Sequence, residues 1–468
     1  MNKILKYKPA ALSPWHILAL LSCIGVSLMS NGFYLLVCLA TLYGFFWILW
    51  KNNRPGIILF AFLKQWIQVV AYVIWMTTVE RDINSLTPHA GIAVVVSCLG
   101  LLIMAAIFSR QIRKLPIPTR EEFLQEVMKF NEKKIFILYL ISTLFLSSLG
   151  YAFGGLGGFT QILMTLGSLK WVFFLLFGYV SWMNKKNRFL LILMIVFEFT
   201  TGIFSYFSSF KEVFLFTIIL SFTLIKKVTV KQVLYGAVFS VALILLLLAW
   251  TSIKSDYRQY LNKGTKQQVV NVSRSEAFDK IGDQINELSW ANLQLASGML
   301  LYRAQYIYHL SLSMDRVPNV LPYEYGNVWW ENISFVLMPR ILFPDKPIYQ
   351  ATIKTNKYTG KNYNGLEEGA SFSLGYFADS YVDFGYIGMF IPLALLALYV
   401  AYIYKVFYGF QTVNIAIRYA IVNVVLYEFT AFEADGLFLF GRLTLMLLVF
   451  WVLSKTILPR LQRWLYKK

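Results

Sequence analysis

The stretch "VLYGAVFSVALILLLLAW", residues 233–250, carries no charged side chain. A bilayer crossing needs about 20 mostly apolar residues, so this run reads as a transmembrane helix. The chain beyond it is different in kind. From 251 to 383 no stretch qualifies as a span, and 13 bases are matched by 13 acids. The architecture therefore turns on how many spans precede this boundary, because that count decides the side of the membrane on which the long segment lies.

Across the whole chain twelve stretches qualify: about 11–30, 32–50, 56–76, 89–108, 135–153, 158–182, 189–207, 210–225, 233–250, 384–404, 413–432 and 436–456. The composition agrees. The 468-residue chain is 58% hydrophobic and 14% charged, whereas a soluble domain carries roughly 25% charged residues. The expected fold is an all-α polytopic membrane protein with about 12 transmembrane helices and one large outer helical loop. Its parts are helices 1–9 in 1–250, the outer loop in 251–383, helices 10–12 in 384–457, and a basic cytoplasmic tail in 458–468.

Charge fixes the orientation. One set of connections, with both termini, holds 24 Lys and Arg residues; the short loops on the other side hold only Arg81 and Lys211. Cytoplasmic loops carry the excess of Lys and Arg, so both termini are expected in the cytoplasm and 251–383 outside. The net charge of +19 is then a topology signal that meets anionic lipid headgroups. The bases form no groove-sized patch with interleaved aromatics, which argues against nucleic acid. Cys23, Cys38 and Cys98 lie in apolar runs without metal-ligand spacing. No Walker loop or dinucleotide fingerprint is present, and neither a metal nor a cofactor is expected.

Within the outer loop, 273–315 has helical periodicity through Phe278, Ile281, Ile285 and Leu288. A second short helix is expected over 327–338, ended by Pro339. The polar stretch 346–370 reads as a loop. "LMPRILFPDKPIYQ", 337–350, sets Arg340 and Lys346 among three prolines. Arg offers phosphate a planar fork and Lys a compact charge, so the pair suits a pyrophosphate; snorkelling at the interface is the plainer alternative. Asp379 and Asp383 are spaced to share one helix face, as general bases or as ordinary helix-entry acids. Arg303 sits among apolar neighbours and is a candidate anion ligand. His309, six residues on, is not expected on the same helix face. Lys64, Lys170, Glu198, Arg418 and Arg442 fall inside predicted spans, where unpaired charge is expensive. Arg442 either clamps an anion or pairs with Glu428, Glu433 or Asp435. Asn332-Ile-Ser matches a glycosylation sequon, a pattern too short to decide anything.

"YGNVWWENISFVLMPRILFPDKP" (325–347) and "FADSYVDFGYIG" (377–388), with the layout of spans, resemble the bacterial O-antigen polymerases, which join oligosaccharide repeat units. Asp379 stands where that family more commonly has Glu, and Asp383 where Asn is common. The resemblance implies a membrane-embedded glycosyltransferase of the GT-C-like type in the bacterial inner membrane. It would take growing glycan on undecaprenyl pyrophosphate as donor, a lipid-linked repeat unit as acceptor, and a chain-length regulator and a flippase as partners. In that frame Arg340, Lys346 and Asp379 are the catalytic candidates, with Arg303, Arg442, Asp383, His309 and Tyr376 binding substrate. An O-antigen ligase shares the layout and donor. A polysaccharide exporter or flippase is the reading from another class, but no inverted repeat of the transporter kind is apparent.

Overall fold

The computed structural model describes residues 22–51, 53–146, 158–203, 210–225, 229–264, 271–339, 342–343, 345–364 and 371–467. The first expected span, 11–30, lies mostly outside these, and Arg340 wholly outside. Among the described residues the chain is helical, with one isolated bridge between Phe130 and Tyr466.

The helices run α1 Gly32–Leu49, α2 Ile57–Thr78, α3 Ala90–Ile112, α4 Arg120–Met128, α5 Glu132–Ile141, α6 Gly158–Gly167, α7 Leu169–Asn184, α8 Arg188–Ile203 and α9 Lys211–Leu224. Next come α10 Val230–Leu261, α11 Arg274–Asn286, α12 Trp290–Ala304, α13 Ile307–Arg316, α14 Asn327–Leu337 and α15 Ala351–Thr359. The last are α16 Tyr376–Gly388, α17 Phe390–Tyr408, α18 Ile415–Val425, α19 Gly436–Thr456 and α20 Leu458–Leu465. Several starts are written locally. Thr119 with Glu122, Thr229 with Gln232, Ser273 with Glu276 and Ser289 with Asn292 form reciprocal capping boxes.

Among the described residues, seven helical stretches are long and apolar enough to cross a membrane: α1, α2, α3, Phe159–Asn184 across α6 and α7, α10, α17 and α19. Helix α17 packs on α3, α3 on α1 and α2, and α7 on α5 and α18. The main core runs through these helices and up into α13, α14 and α16. The charges Lys64, Lys170, Glu198 and Arg418, expected inside spans, have partners. Lys170 Nζ lies 2.8 Å from Glu198, which also accepts from Tyr139 at 3.0 Å. Lys64 donates to Thr430 at 3.1 Å, and Arg418 to the Tyr408 carbonyl at 2.6 Å.

Helix α10 stands apart. Its first half is largely exposed, while Trp250, Ile253, Tyr257 and Leu261 build a small second core with Phe210 and Ala277.

Several expected boundaries move. Helix α10 continues past 250 to Leu261, so the segment expected outside the membrane begins as an extension of the ninth expected span. The stretch 346–370 is not simply a loop: it contains α15, whose Ala351, Thr355, Tyr358 and Thr359 are buried. The basic tail is docked, since Leu458 and Leu465 are buried, Asn131 N–H donates to the Leu465 carbonyl and Lys467 N–H to that of Lys129, each at 2.8 Å.

The stretch read as a span over 384–404 is broken near its start: α16 is kinked at Gly385, ends at Gly388, and α17 begins at Phe390. Gly385 there has φ 67° and ψ −165°, a region essentially reserved for glycine. A Cβ would also come within 3.0 Å of the Tyr323 ring. Gly385→Ala is expected to cost about 1–3 kcal/mol, read as a lower melting temperature in detergent. An unchanged melting temperature would show that the kink is dispensable.

Candidate functional site

Helix α12 stops at Ala304 because Gln305 turns extended (φ −83°, ψ 150°), and the chain re-enters a helix at Ile307. Tyr306, at the break, is tied down by its N–H to the Gln68 carbonyl at 3.1 Å and by its hydroxyl to the Ser373 carbonyl. This break overturns the expectation that Arg303 and His309 face apart. Both line one cavity of about 520 Å³, together with Arg442 and Glu433. The wall is aromatic: Tyr302, Tyr306, Tyr363 and Phe372 contribute, the last two stacked at 4.3 Å. Such a mixture of rings and a few convergent polar groups is the usual make-up of a ligand site.

His309 Nε2 lies 3.1 Å from the Tyr363 hydroxyl. Burial, aided by the nearby Lys361 charge, pushes its pKa down to about 4, so the ring is neutral at neutral pH.

Positive charge collects around Arg303, which lines the cavity. Arg303 ends α12, Lys254 and Arg258 are one turn apart on α10, and Lys211 opens α9; their charges repel one another. Among the described residues Lys211, Lys254 and Arg303 have no carboxylate within salt-bridge distance. Lys211, Lys254 and Arg303, grouped without a carboxylate at salt-bridge distance, have the electrostatic character of an anion site. Arg442 is exposed and pairs loosely with Glu428 at 3.5 Å.

Behind the cavity lies a buried polar cluster. Lys354 on α15 reaches Asp379 Oδ1 at 2.8 Å and Asp435 Oδ2 at 3.2 Å. Tyr349 donates to Asp435 at 2.6 Å, and Asn332 Nδ2 to Asp379 at 3.2 Å. The Gly436 N–H, at the start of α19, donates to Asp379 at 2.7 Å. Burial opposes the Lys354 charge, but Asp379 and Asp435 outweigh it and hold its pKa up. Burial pushes the Asp379 pKa up, Lys354 opposes and Asp435 adds. A Cβ on Gly436 would meet Asn332 Nδ2 at 2.7 Å, so only glycine lets α14 approach here. Asn332, buried at this contact, is closed to glycan attachment.

The other expected site residues separate. Asp379 and Asp383 serve two different helix N-termini. Asp383 accepts from the N–H groups of Val328 at 3.0 Å and Trp329 at 2.9 Å, opening α14. Both carboxylates are fully buried, so neither meets a ligand in the cavity. Tyr376 is buried too, its hydroxyl bonded to Gln65. Lys346 donates to the carbonyls of Phe335 and Met338 (2.8 Å to the latter) and lies 3.5 Å from the Phe335 ring centroid. It caps the end of α14 and does not line the cavity. Sequence reasoning missed Lys354, Lys211, Lys254 and Arg258. Among the described residues, no group of three or more His, Cys, Asp or Glu could hold a metal ion.

The long apolar helices mark a helical membrane protein, and one of them, α19, contributes Phe438 and Arg442 to the charged, aromatic-walled cavity. The chain belongs to the family described as "Domain of unknown function (DUF8712)", which matches residues 99–460 and so takes in all the cavity residues. No curated protein and no solved structure matches the chain.

Lys354→Met is expected to destabilise the fold by about 3–5 kcal/mol, the cost of stranding a buried charge. Adding Asp379→Asn should recover part of that loss. Melting temperatures of the two single variants and the double variant test this; strict additivity would mean that the two groups do not interact.

Because the folded His309 pKa of about 4 lies below the ordinary 6.5, the unfolded chain binds more protons between those values. The contribution of His309 to stability is complete above the ordinary value and is lost as pH falls toward the folded one. His309→Gln should flatten that part of the melting-temperature profile relative to wild type. Parallel profiles would contradict the burial of a neutral ring.

Proposed function

We propose that this protein is a lipid-linked-donor glycosyltransferase that polymerises oligosaccharide repeat units into surface polysaccharide. The growing glycan passes from undecaprenyl pyrophosphate to a repeat unit on a second lipid, and undecaprenyl pyrophosphate leaves. In this reading the chain crosses the bacterial inner membrane about 12 times in a GT-C-like arrangement. Both termini are cytoplasmic and the cavity faces outward.

The observation that carries the proposal is the group Lys211, Lys254 and Arg303, the last of which lines an aromatic-walled cavity. A pyrophosphate leaving group gathers negative charge as its bond to the sugar breaks, and preorganised cations stabilise that charge. Rings suit the faces of sugars, as they suit other amphipathic ligands. The donor is already activated, so the chemistry needs no nucleotide-binding fold. The anion clamp is thereby reassigned from Lys346, which is occupied by backbone carbonyls, to the cations near Arg303.

Deletion of the gene should leave surface glycan of one repeat unit only. Long chains retained on undecaprenyl pyrophosphate, with none on the final acceptor, would instead indicate a ligase. Arg303→Ala and Lys254→Ala should each slow chain elongation on the order of 10²-fold, as loss of one transition-state charge partner does. Wild-type chain lengths in both, at normal expression, would sink the clamp.

A further inference from the structure

Building on the glycosyl-transfer reading, we propose that Glu433 is the catalytic base of the cavity, accepting the proton of the acceptor sugar hydroxyl.

Most acids near the site are already engaged. Asp379 and Asp435 are held by Lys354, and Asp383 by two backbone amides. Glu428 is paired with Arg442. Glu433 is the one carboxylate that borders the cavity among the described residues, alongside Arg303, His309 and Arg442. Its Oε2 is enclosed and accepts no hydrogen bond among those residues. A buried oxygen left in that state is destabilising. Such groups need a reason, and a catalytic role is one of the recognised ones.

The chain around Glu433 is held unusually firmly. Gln65 Nε2 donates to the Phe429 carbonyl at 2.7 Å and Phe432 N–H to Gln68 Oε1 at 2.9 Å. Tyr376 N–H donates to the Ala434 carbonyl at 2.8 Å. Asp435, two residues on, is held by Lys354 and Tyr349 and caps α19 by accepting from Phe438 N–H at 3.2 Å. One unpaired acid is thus presented to the cavity by a pinned segment, and a general base needs this kind of fixed support.

The step balances without a redox partner. The acceptor oxygen forms a bond to the anomeric carbon of the donor. The bond from that carbon to the pyrophosphate oxygen breaks, and its electron pair leaves on undecaprenyl pyrophosphate. The hydroxyl proton passes to the Glu433 carboxylate and then to water.

The test uses the full chain in lipid nanodiscs, with lipid-linked repeat units extracted from the deletion strain. Elongation is measured across pH for wild type, E433Q, E433A and H309Q, and undecaprenyl pyrophosphate binding is followed by tryptophan fluorescence. E433Q should elongate on the order of 10²–10⁴-fold more slowly and bind undecaprenyl pyrophosphate within twofold of wild type. The fall in wild-type activity at low pH should vanish from the residual activity of E433Q, and formate should partly restore E433A but not E433Q. A wild type that elongates while E433Q keeps pace overturns the assignment alone, as does a loss of that size in H309Q with E433Q spared. A wild type that neither elongates nor binds undecaprenyl pyrophosphate overturns the polymerisation reading and this assignment with it. Because E433Q keeps the side-chain shape, a folding defect confined to E433A leaves the comparison decisive.

Discussion

Lys354 sits between two carboxylates that would otherwise repel one another inside the protein. Asp379 begins α16, Asp435 caps α19, and the lysine comes from α15. One ammonium cannot neutralise two carboxylates. The surplus charge is met by the Tyr349 hydroxyl, the Asn332 amide and the N-terminal N–H of α19, where a helix favours negative charge. Four separate pieces of chain are therefore fixed by one small polar cluster in an apolar setting. Every hydrogen bond there is stronger for being dry, and every missing one would cost more.

That cluster explains the quietness of residues that looked chemical in the sequence. Asp379 and Asp383 stand one turn apart, and spacing alone suggests a shared target. Instead each reaches the N-terminus of a different helix, α19 and α14. The rule that acids favour helix N-termini applies, but to neighbouring helices, which spacing within one helix cannot disclose. The site residues that do meet a cavity, Arg303, His309, Glu433 and Arg442, come from separate regions of the chain, brought together by a break at Gln305 and a pinned turn before α19.

Much of the fold was legible, and some of the site was. Apolar length marked the long helices, while the capping boxes that open α4, α10, α11 and α12 were a further signal in the sequence. Helix α15 was hidden because 346–370 is polar overall, although Ala351, Thr355, Tyr358 and Thr359 fall on one helical face and could have revealed it. Lys354 had no signal of its own, since a lysine in a polar stretch looks solvated. Asp435 before an apolar run was a readable cap. Glu433 appeared only as one possible partner for Arg442. Its isolation depends on which neighbours are already taken, a property of packing alone.

Helix α10 acts as a gauge of depth. Counting about 1.5 Å per residue, Lys254 stands roughly 36 Å along the helix from Val230, against about 30 Å of hydrocarbon in a bilayer. If α10 stands upright, its lipid-facing half fills the apolar layer, and Lys254 and Arg258 emerge just beyond it at headgroup level. The altitude of the cationic group is then set by the number of residues in one rigid rod. An anion at headgroup height would meet its countercharge without leaving the level at which the membrane holds it.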